Sequence, residues 1–130
     1  VFPHGAPAHF MTMVKQQGAL LAKGRLLGIQ FDALFTDDLY FRISRHADEM
    51  AYQIRDIFVS AGYPLLFDSP TNQQYPIMPD EELAILGKNF GYEYWERTDP
   101  THSGVRFCAS WATTQENVDA LRAAVQALKK

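Results

Sequence analysis

The sequence predicts an α+β fold in which helices cover one face of an antiparallel sheet. Two observations predict this class. Before Pro64, apolar residues recur at steps of three, four and seven, which is the period of helices. After Pro64 they alternate with polar residues or run in short groups between turns, which is the pattern of strands. The predicted order is two helices, two strands, a helix, two strands and a helix.

The first predicted helix covers residues 7–35 and would span about 40 Å if unbroken. Gly18, Gly24 and Gly28 interrupt it, and each costs about 1 kcal/mol relative to alanine inside a helix. They indicate a kink or the close approach of another backbone. No strand precedes them and their spacing fits no nucleotide fingerprint, so tight packing is favoured over a phosphate-binding loop.

The second predicted helix covers residues 38–61 and has a continuous apolar stripe. Thr36 and the two aspartates that follow it are predicted to form its N-cap. Gly62 suits the C-cap position and Pro64 blocks any extension. His46, at the edge of the stripe, is predicted to be a packed or solvated histidine, because no second metal-type residue pairs with it at helical spacing.

The remaining elements are shorter and are separated by turn-rich segments. Thr113 and Glu116 are predicted to form a capping box at the start of the last helix. The predicted strands are residues 65–67, 74–78, 92–97 and 105–111, and the predicted helices are residues 80–89 and 113–128.

Composition sets limits on function. The 130 residues amount to one domain, and 12 basic against 15 acidic residues give a net charge of −3. That balance disfavours nucleic-acid and membrane-surface binding, which need a basic excess. Cys108 is the only cysteine, so an internal disulfide and a cysteine zinc site are excluded. A reducing, cytoplasmic setting is expected. No apolar run is long enough to span a membrane.

The first three residues, Val1-Phe2-Pro3, have no initiator methionine. Two apolar residues that run directly into proline suggest the end of a strand that began earlier. A trimmed terminus and the back part of a longer protein are both compatible with this pattern.

Arg106 is the main candidate for a binding residue. Because side chains alternate along a strand, the apolar odd positions of residues 105–111 should face the helices and the even positions the other side. The planar guanidinium of Arg106 would there bind a carboxylate or phosphate bidentately. On pattern alone, a solvent-facing arginine or a structural pairing with Glu93 or Glu96 is favoured. The apolar set is Val105, Phe107, Ala109 and Trp111, and the other set is Arg106, Cys108 and Ser110.

Cys108 shares the face of Arg106, but a nucleophilic cysteine needs a base and an electropositive setting. His102 lies in a different turn, so an inert buried thiol is the preferred interpretation. No Ser-His-Asp pattern, paired-carboxylate signature or metal spacing is present. His4, His9 and His102 are candidates for a general base by residue type alone.

Three stretches of the chain carry a family resemblance. They are KQQGALLAKGRLLGIQF at residues 15–31, VRFCASWATT at residues 105–114 and, more weakly, SPTNQQYPI at residues 69–77. In that order they resemble the helix that follows the cofactor lysine, a C-terminal strand-and-cap motif similar to RLCTSWAT, and a Ser-x-x-Asn-Gln-x-x-Pro-Ile strand of the threonine aldolases. These enzymes belong to the family of aromatic amino-acid β-eliminating lyases and threonine aldolases. The similarity covers nearly the whole chain.

The resemblance implies a pyridoxal 5'-phosphate enzyme of the aminotransferase-like type I fold, of which this chain is the C-terminal portion. Residues 1–36 would be the end of the large domain and a long inter-domain helix, and residues 37–130 the small C-terminal domain. The family's Schiff-base lysine lies in a Gly-Gly-Thr-Lys motif that this chain lacks. Arg106 matches the arginine that binds the substrate's α-carboxylate. Lys15 matches a basic position near the cofactor phosphate or the subunit interface.

The implied reaction breaks the Cα–Cβ bond of a β-hydroxy amino acid to give glycine and an aldehyde, with the cofactor as electron sink. The implied partners are an amino-acid substrate, the missing N-terminal large domain and further copies in a homodimer or homotetramer, without nucleic acid or membrane. Two alternatives stay open: β-elimination on the same fold, and a free-standing α+β binding module without chemistry. The apolar first helix disfavours the module, because it needs a larger partner surface.

Overall fold

The computed structural model describes residues 2–129, and the chain divides into two compact units, Val1–Leu39 and Tyr40–Lys130. Val1, part of the expected strand end, lies outside the described residues. The Phe2 ring packs edge-on against Phe10 with 4.9 Å between centroids, and Gly5 N donates a hydrogen bond to the Phe2 carbonyl. Phe2 and Pro3 therefore lie at a turn and form no strand.

The first unit contains two helices where the sequence predicts one. Helix α1 is Phe10–Gln16 and helix α2 is Arg25–Phe35. Gly18 ends α1 with a φ of 66°, and the turn is closed by 3.0 Å hydrogen bonds from Gly18 N to the Lys15 carbonyl and from the next amide to Val14. Glycine adopts this left-handed conformation without a steric penalty. At Gly18 the predicted helix is therefore interrupted, which agrees with the first interpretation of the glycines, a kink.

The residues Thr36–Asp38 form a 3-10 turn after α2. The Thr36 hydroxyl does not cap the next helix but donates back to the Asp32 carbonyl at 2.6 Å. Asp37 and Asp38 have φ values of 51° and 56°, a conformation that aspartate tolerates better than most residues. The predicted N-cap by Thr36 is wrong because the next helix begins only at Leu39, and Thr36 instead ends α2.

Helix α3, Leu39–Ser60, confirms the second predicted helix to within one residue at each end. Its stripe is buried, and Ala51 and Phe58 are fully so. Gly62 has a φ of 85° and the following amide of Tyr63 bonds the Phe58 carbonyl at 3.0 Å, which closes the helix as predicted. His46 Nε2 lies 2.7 Å from the Thr113 carbonyl, so the prediction of a packed histidine is confirmed.

The sheet is antiparallel and is organised around a single strand. Strands β1 (Gln73–Gln74), β2 (Ile77–Pro79) and β3 (Glu93–Arg97) all pair with β4 (His102–Cys108). Pro76, which has no N–H, separates β1 from β2, although its carbonyl still accepts from Val105 N at 3.0 Å. The predicted strand at residues 65–67 is reduced to one isolated bridge between Leu65 and Pro76. Strand β4 also begins and ends three residues earlier than predicted.

Helices α4 (Asp80–Leu86) and α5 (Gln115–Ala127) complete the second unit. Thr114, not Thr113, is the N-cap of α5, and Asn117 is its capping-box partner in place of Glu116. The Thr113 hydroxyl is not available because it accepts a hydrogen bond from Ser110 N at 2.9 Å. The core joins α3, α4 and α5 to one face of the sheet, and its fully buried members include Phe58, Met78, Val105, Val118 and Val125. Within the described residues, no helix is both long and apolar enough to cross a membrane.

Candidate functional site

The two faces of β4 differ as the alternation predicts. Val105, Phe107 and Ala109 are buried in the core, at 5% exposure or less. Arg106, between the first two, stands half-buried on the face that the core does not occupy. Trp111, predicted to belong to the apolar set, is instead 71% exposed, because β4 ends at Cys108 and the alternation stops there.

Contacts from two neighbouring strands hold the guanidinium of Arg106. Its Nη1 donates to Gln73 Oε1 on β1 at 3.3 Å. Its central carbon lies 5.8 Å from the ring centroid of Trp95 on β3, a cation–π arrangement. The Nε atom is buried and has no hydrogen-bond partner among the described residues. The side chain is therefore ordered by neutral groups and keeps unused donor capacity.

No carboxylate oxygen in the described part of the chain lies within 4.0 Å of this guanidinium. Glu93 is the register partner of Arg106 across β3 and β4, yet its side chain and that of Glu96 are exposed and make no ion pair with it. The pairing with Glu93 or Glu96 that pattern alone favours is thus wrong. A half-buried guanidinium without a counter-charge is electrostatically suited to an external anion.

An aromatic row leads along the same face to Arg106. The rings of Phe67 and Tyr75 lie 4.4 Å apart, and those of Tyr75 and Trp95 lie 5.0 Å apart in an edge-on arrangement. Tyr75 is buried, whereas Phe67 and Trp95 are each 47% exposed. We call Gln73, Tyr75, Trp95 and Arg106 the Arg106 cluster. It presents one cation beside an apolar surface.

Cys108 is exposed, so the expectation of a buried thiol is wrong. It is the last residue of β4 and pairs in register with Gln73 of β1. His102 lies six residues away on the same strand, about 20 Å along it. That separation leaves the thiol without the base that a nucleophilic role requires.

His102 belongs to a separate cluster at the other end of β4. Its Nδ1 lies 3.0 Å from an Asp99 oxygen, and Asp99 also accepts from the backbone amides of Thr101 and His102. The Thr101 amide is the main cause that lowers the pKa of Asp99 to about 2. These bonds build a turn between β3 and β4. His102 is about 13 Å along the strand from Arg106, too far to share a ligand's reacting atoms.

Lys15 lies in the last turn of α1, in the first unit, and is exposed. The residues around Arg106 all come from the second unit. His4 is also exposed, and His9 precedes α1 with a φ of 60°. None of the described residues forms a group of three or more metal-type ligands.

Sequence reasoning missed Gln73 and Trp95. Gln73 stands in the SPTNQQYPI stretch, so a signal was present, but nothing in the pattern linked it to Arg106. The register of β3 shifts between Tyr94 and Glu96, so alternation alone could not predict the side that Trp95 takes.

No family model matches the chain, but known proteins similar to it in sequence and in fold are found. The chain is 29% identical over 115 residues to the low specificity L-threonine aldolase of Pseudomonas sp. (strain NCIMB 10558), covering 88% of this chain and 32% of the relative. The solved threonine aldolase of Leishmania major matches with a TM-score of 0.88 and 31% identity, covering 95% of this chain and 36% of that chain. The chain thus spans about a third of each relative's length. Its resemblance to the threonine aldolase family is confirmed in both sequence and fold, over part of the family's length.

Proposed function

We propose that this chain is the C-terminal part of a pyridoxal 5'-phosphate-dependent lyase of the threonine aldolase type. The complete protein would cleave a β-hydroxy amino acid to glycine and an aldehyde. The two relatives, both named as threonine aldolases, support the activity. The single observation that carries this chain's part in it is Arg106, a positioned cation without a counter-charge.

In this proposal Arg106 binds the α-carboxylate of the substrate. A carboxylate accepts well from a guanidinium, and the two charges give bonds stronger than neutral ones. Gln73 takes one N–H of Nη1 and Nε is buried, so the donors left for the ligand are the outer N–H groups of the guanidinium. By fixing the carboxylate, Arg106 would orient the amino acid so that the Cα–Cβ bond stands in the direction required for cleavage.

The described residues around Arg106 do not by themselves make a cofactor site. Arg106 is surrounded by a glutamine and aromatic rings, and no lysine is among its partners. Pyridoxal 5'-phosphate, which would supply the electron sink, is therefore assigned to the large domain, together with the Schiff-base lysine. Lys15 is proposed to lie near the cofactor phosphate or at a subunit interface.

We also propose that residues 1–36 end the large domain and supply its inter-domain helices, and that residues 37–130 form the small domain. A Cβ added at Gly28 on α2 would meet no atom within 4 Å, so nothing in the described chain requires glycine there. Close packing against the large domain or a partner subunit would leave no room for a side chain at Gly28 and so explain the glycine. The complete enzyme would then be a cytoplasmic homodimer or homotetramer.

The test is made in the full-length protein by measuring aldehyde release from a β-hydroxy amino acid. Arg106→Lys keeps the charge but removes the planar fork, and kcat/KM should fall by roughly tenfold or more. Arg122→Lys, the same change on α5, is the control and should leave kcat/KM as it is. Unchanged kinetics in Arg106→Lys would remove Arg106 from the site. Formation of pyruvate or another keto acid in place of glycine would favour β-elimination instead.

The isolated 130-residue chain should be inactive and should show no Schiff-base absorbance when mixed with the cofactor. A stoichiometric internal Schiff base on this chain would contradict the proposal that the lysine lies elsewhere.

A further inference from the structure

Gln73 links Arg106 to the buried side of the aromatic row. Its Oε1 accepts two hydrogen bonds, one from Arg106 Nη1 at 3.3 Å and one from the Tyr75 hydroxyl at 2.9 Å. Tyr75 is 7% exposed and its ring contacts both Phe67 and Trp95, so its hydroxyl has little freedom. The tyrosine therefore fixes the amide of Gln73, which in turn fixes one edge of the guanidinium.

The neutral charge of Gln73 matters for what Arg106 can bind. A glutamate at this position would hold the guanidinium more strongly, but its charge would compete directly with an incoming carboxylate. An amide oxygen orients the same donor and leaves the positive charge uncompensated. Trp95, which faces the guanidinium at 5.8 Å, is likewise uncharged. The Arg106 cluster thus restricts the arginine without neutralising it.

We propose that Gln73, held by Tyr75, is a positioning residue that presents Arg106 to the substrate carboxylate. This inference rests on the proposed role of Arg106 and extends it to a residue that need not touch the substrate. Loss of the positioning contact, or a charge in its place that competes for the guanidinium, lowers affinity for carboxylates. Once substrate has bound, its own carboxylate holds Arg106, so the chemical step is changed much less.

The experiment compares Gln73→Glu with the parent in the full-length protein. For Gln73→Glu we expect KM to rise roughly tenfold or more while kcat changes by less than about threefold, since the new carboxylate pairs with Arg106. The dissociation constant of glycine, measured by calorimetry, should rise in parallel, and that of glycinamide, which lacks the carboxylate, should not. A general structural defect would weaken both ligands alike.

Gln126→Glu, the same change at an exposed position of α5, is the matched control and should leave both dissociation constants unchanged. Tyr75→Phe removes only the hydroxyl that holds Gln73 and should raise the dissociation constant of glycine by about two- to fivefold. This variant decides the question if Gln73→Glu does not fold.

The outcomes separate the two proposals. Suppose that Arg106→Lys raises the dissociation constant of glycine but Gln73→Glu leaves it unchanged, as Gln126→Glu does. The positioning role of Gln73 is then overturned and the role of Arg106 stands. A fall in kcat with unchanged glycine affinity in Gln73→Glu also overturns it. If Arg106→Lys itself leaves glycine binding and kcat/KM unchanged, the proposed function fails first.

Discussion

Gly104 lies in the middle of β4, two residues before Arg106, and leaves no room for a side chain. A Cβ at this position would overlap Cδ1 of Leu66 and would lie 2.9 Å from its Cγ. Carbon atoms in ordinary contact are about 3.5–4.0 Å apart, so Leu66 would have to move by about 1 Å. Its backbone is held by the 2.9 Å hydrogen bond from Leu66 N to the Tyr75 carbonyl, which limits that movement.

The expected effect of Gly104→Ala follows from two opposing contributions. Overpacking of this kind typically destabilises by about 1–3 kcal/mol. Replacing glycine also restricts the unfolded chain, which returns about 0.4–1 kcal/mol. We therefore expect the free energy of unfolding to fall by about 1–2 kcal/mol.

Urea denaturation of the purified protein measures this change. Gly91→Ala is the matched control, because its Cβ would meet nothing within 4 Å and its φ is not in the left-handed region. In a double-mutant cycle, Leu66→Ala should remove most of the penalty of Gly104→Ala, with a coupling of about 1 kcal/mol. A loss no larger in Gly104→Ala than in Gly91→Ala, or the absence of coupling, would refute the reasoning.

Three further outcomes follow from the described contacts. Thr114→Ala should lower the free energy of unfolding by about 1 kcal/mol in urea denaturation, whereas Glu116→Gln should lower it less; equal losses would contradict the assigned cap. The Thr101 amide helps lower the pKa of Asp99 from 3.8 to about 2, so its stabilisation is complete above pH 4 and is lost toward pH 2. In Asp99→Asn, the free energy of unfolding should fall less between pH 4 and pH 2. An unchanged fall would exclude Asp99 as its cause. Burial raises the pKa of Tyr63 above 10.0, so its contribution to the free energy of unfolding is present below pH 10 and lost above it. Tyr63→Phe should therefore lose less stability above pH 10 than the parent protein, and an equal loss in both proteins would contradict this role of Tyr63.

The sequence predicted best those elements whose signals are local and repeated. Helix α3 carries a long apolar stripe and a glycine C-cap, and its bounds were correct to within one residue. The burial of Val105 and Phe107 and the opposite placement of Arg106 followed from strand alternation. Each of these depends on a period or a cap that neighbouring residues determine by themselves.

The errors arose where a residue suited to a cap stands next to another structural role. Thr36 ends α2, three residues before α3 begins, and the Thr113 hydroxyl accepts a hydrogen bond from Ser110 N. The surroundings of Arg106 depend on long-range pairing, since Gln73 and Trp95 reach it from different strands. No local pattern reports which side chains a sheet brings together from separate strands.

The dependence of every other strand on β4 also has a consequence for how the chain is made. A chain is synthesised from its N-terminus, so β1 and β2 are complete about thirty residues before His102–Cys108 exists. During that interval their backbone donors and acceptors have no sheet partner, and α3 has no sheet face to cover. The nascent second unit therefore cannot accumulate a half-built sheet as a stable intermediate. A chain truncated between β3 and β4 would keep these strand edges unpaired, which favours aggregation.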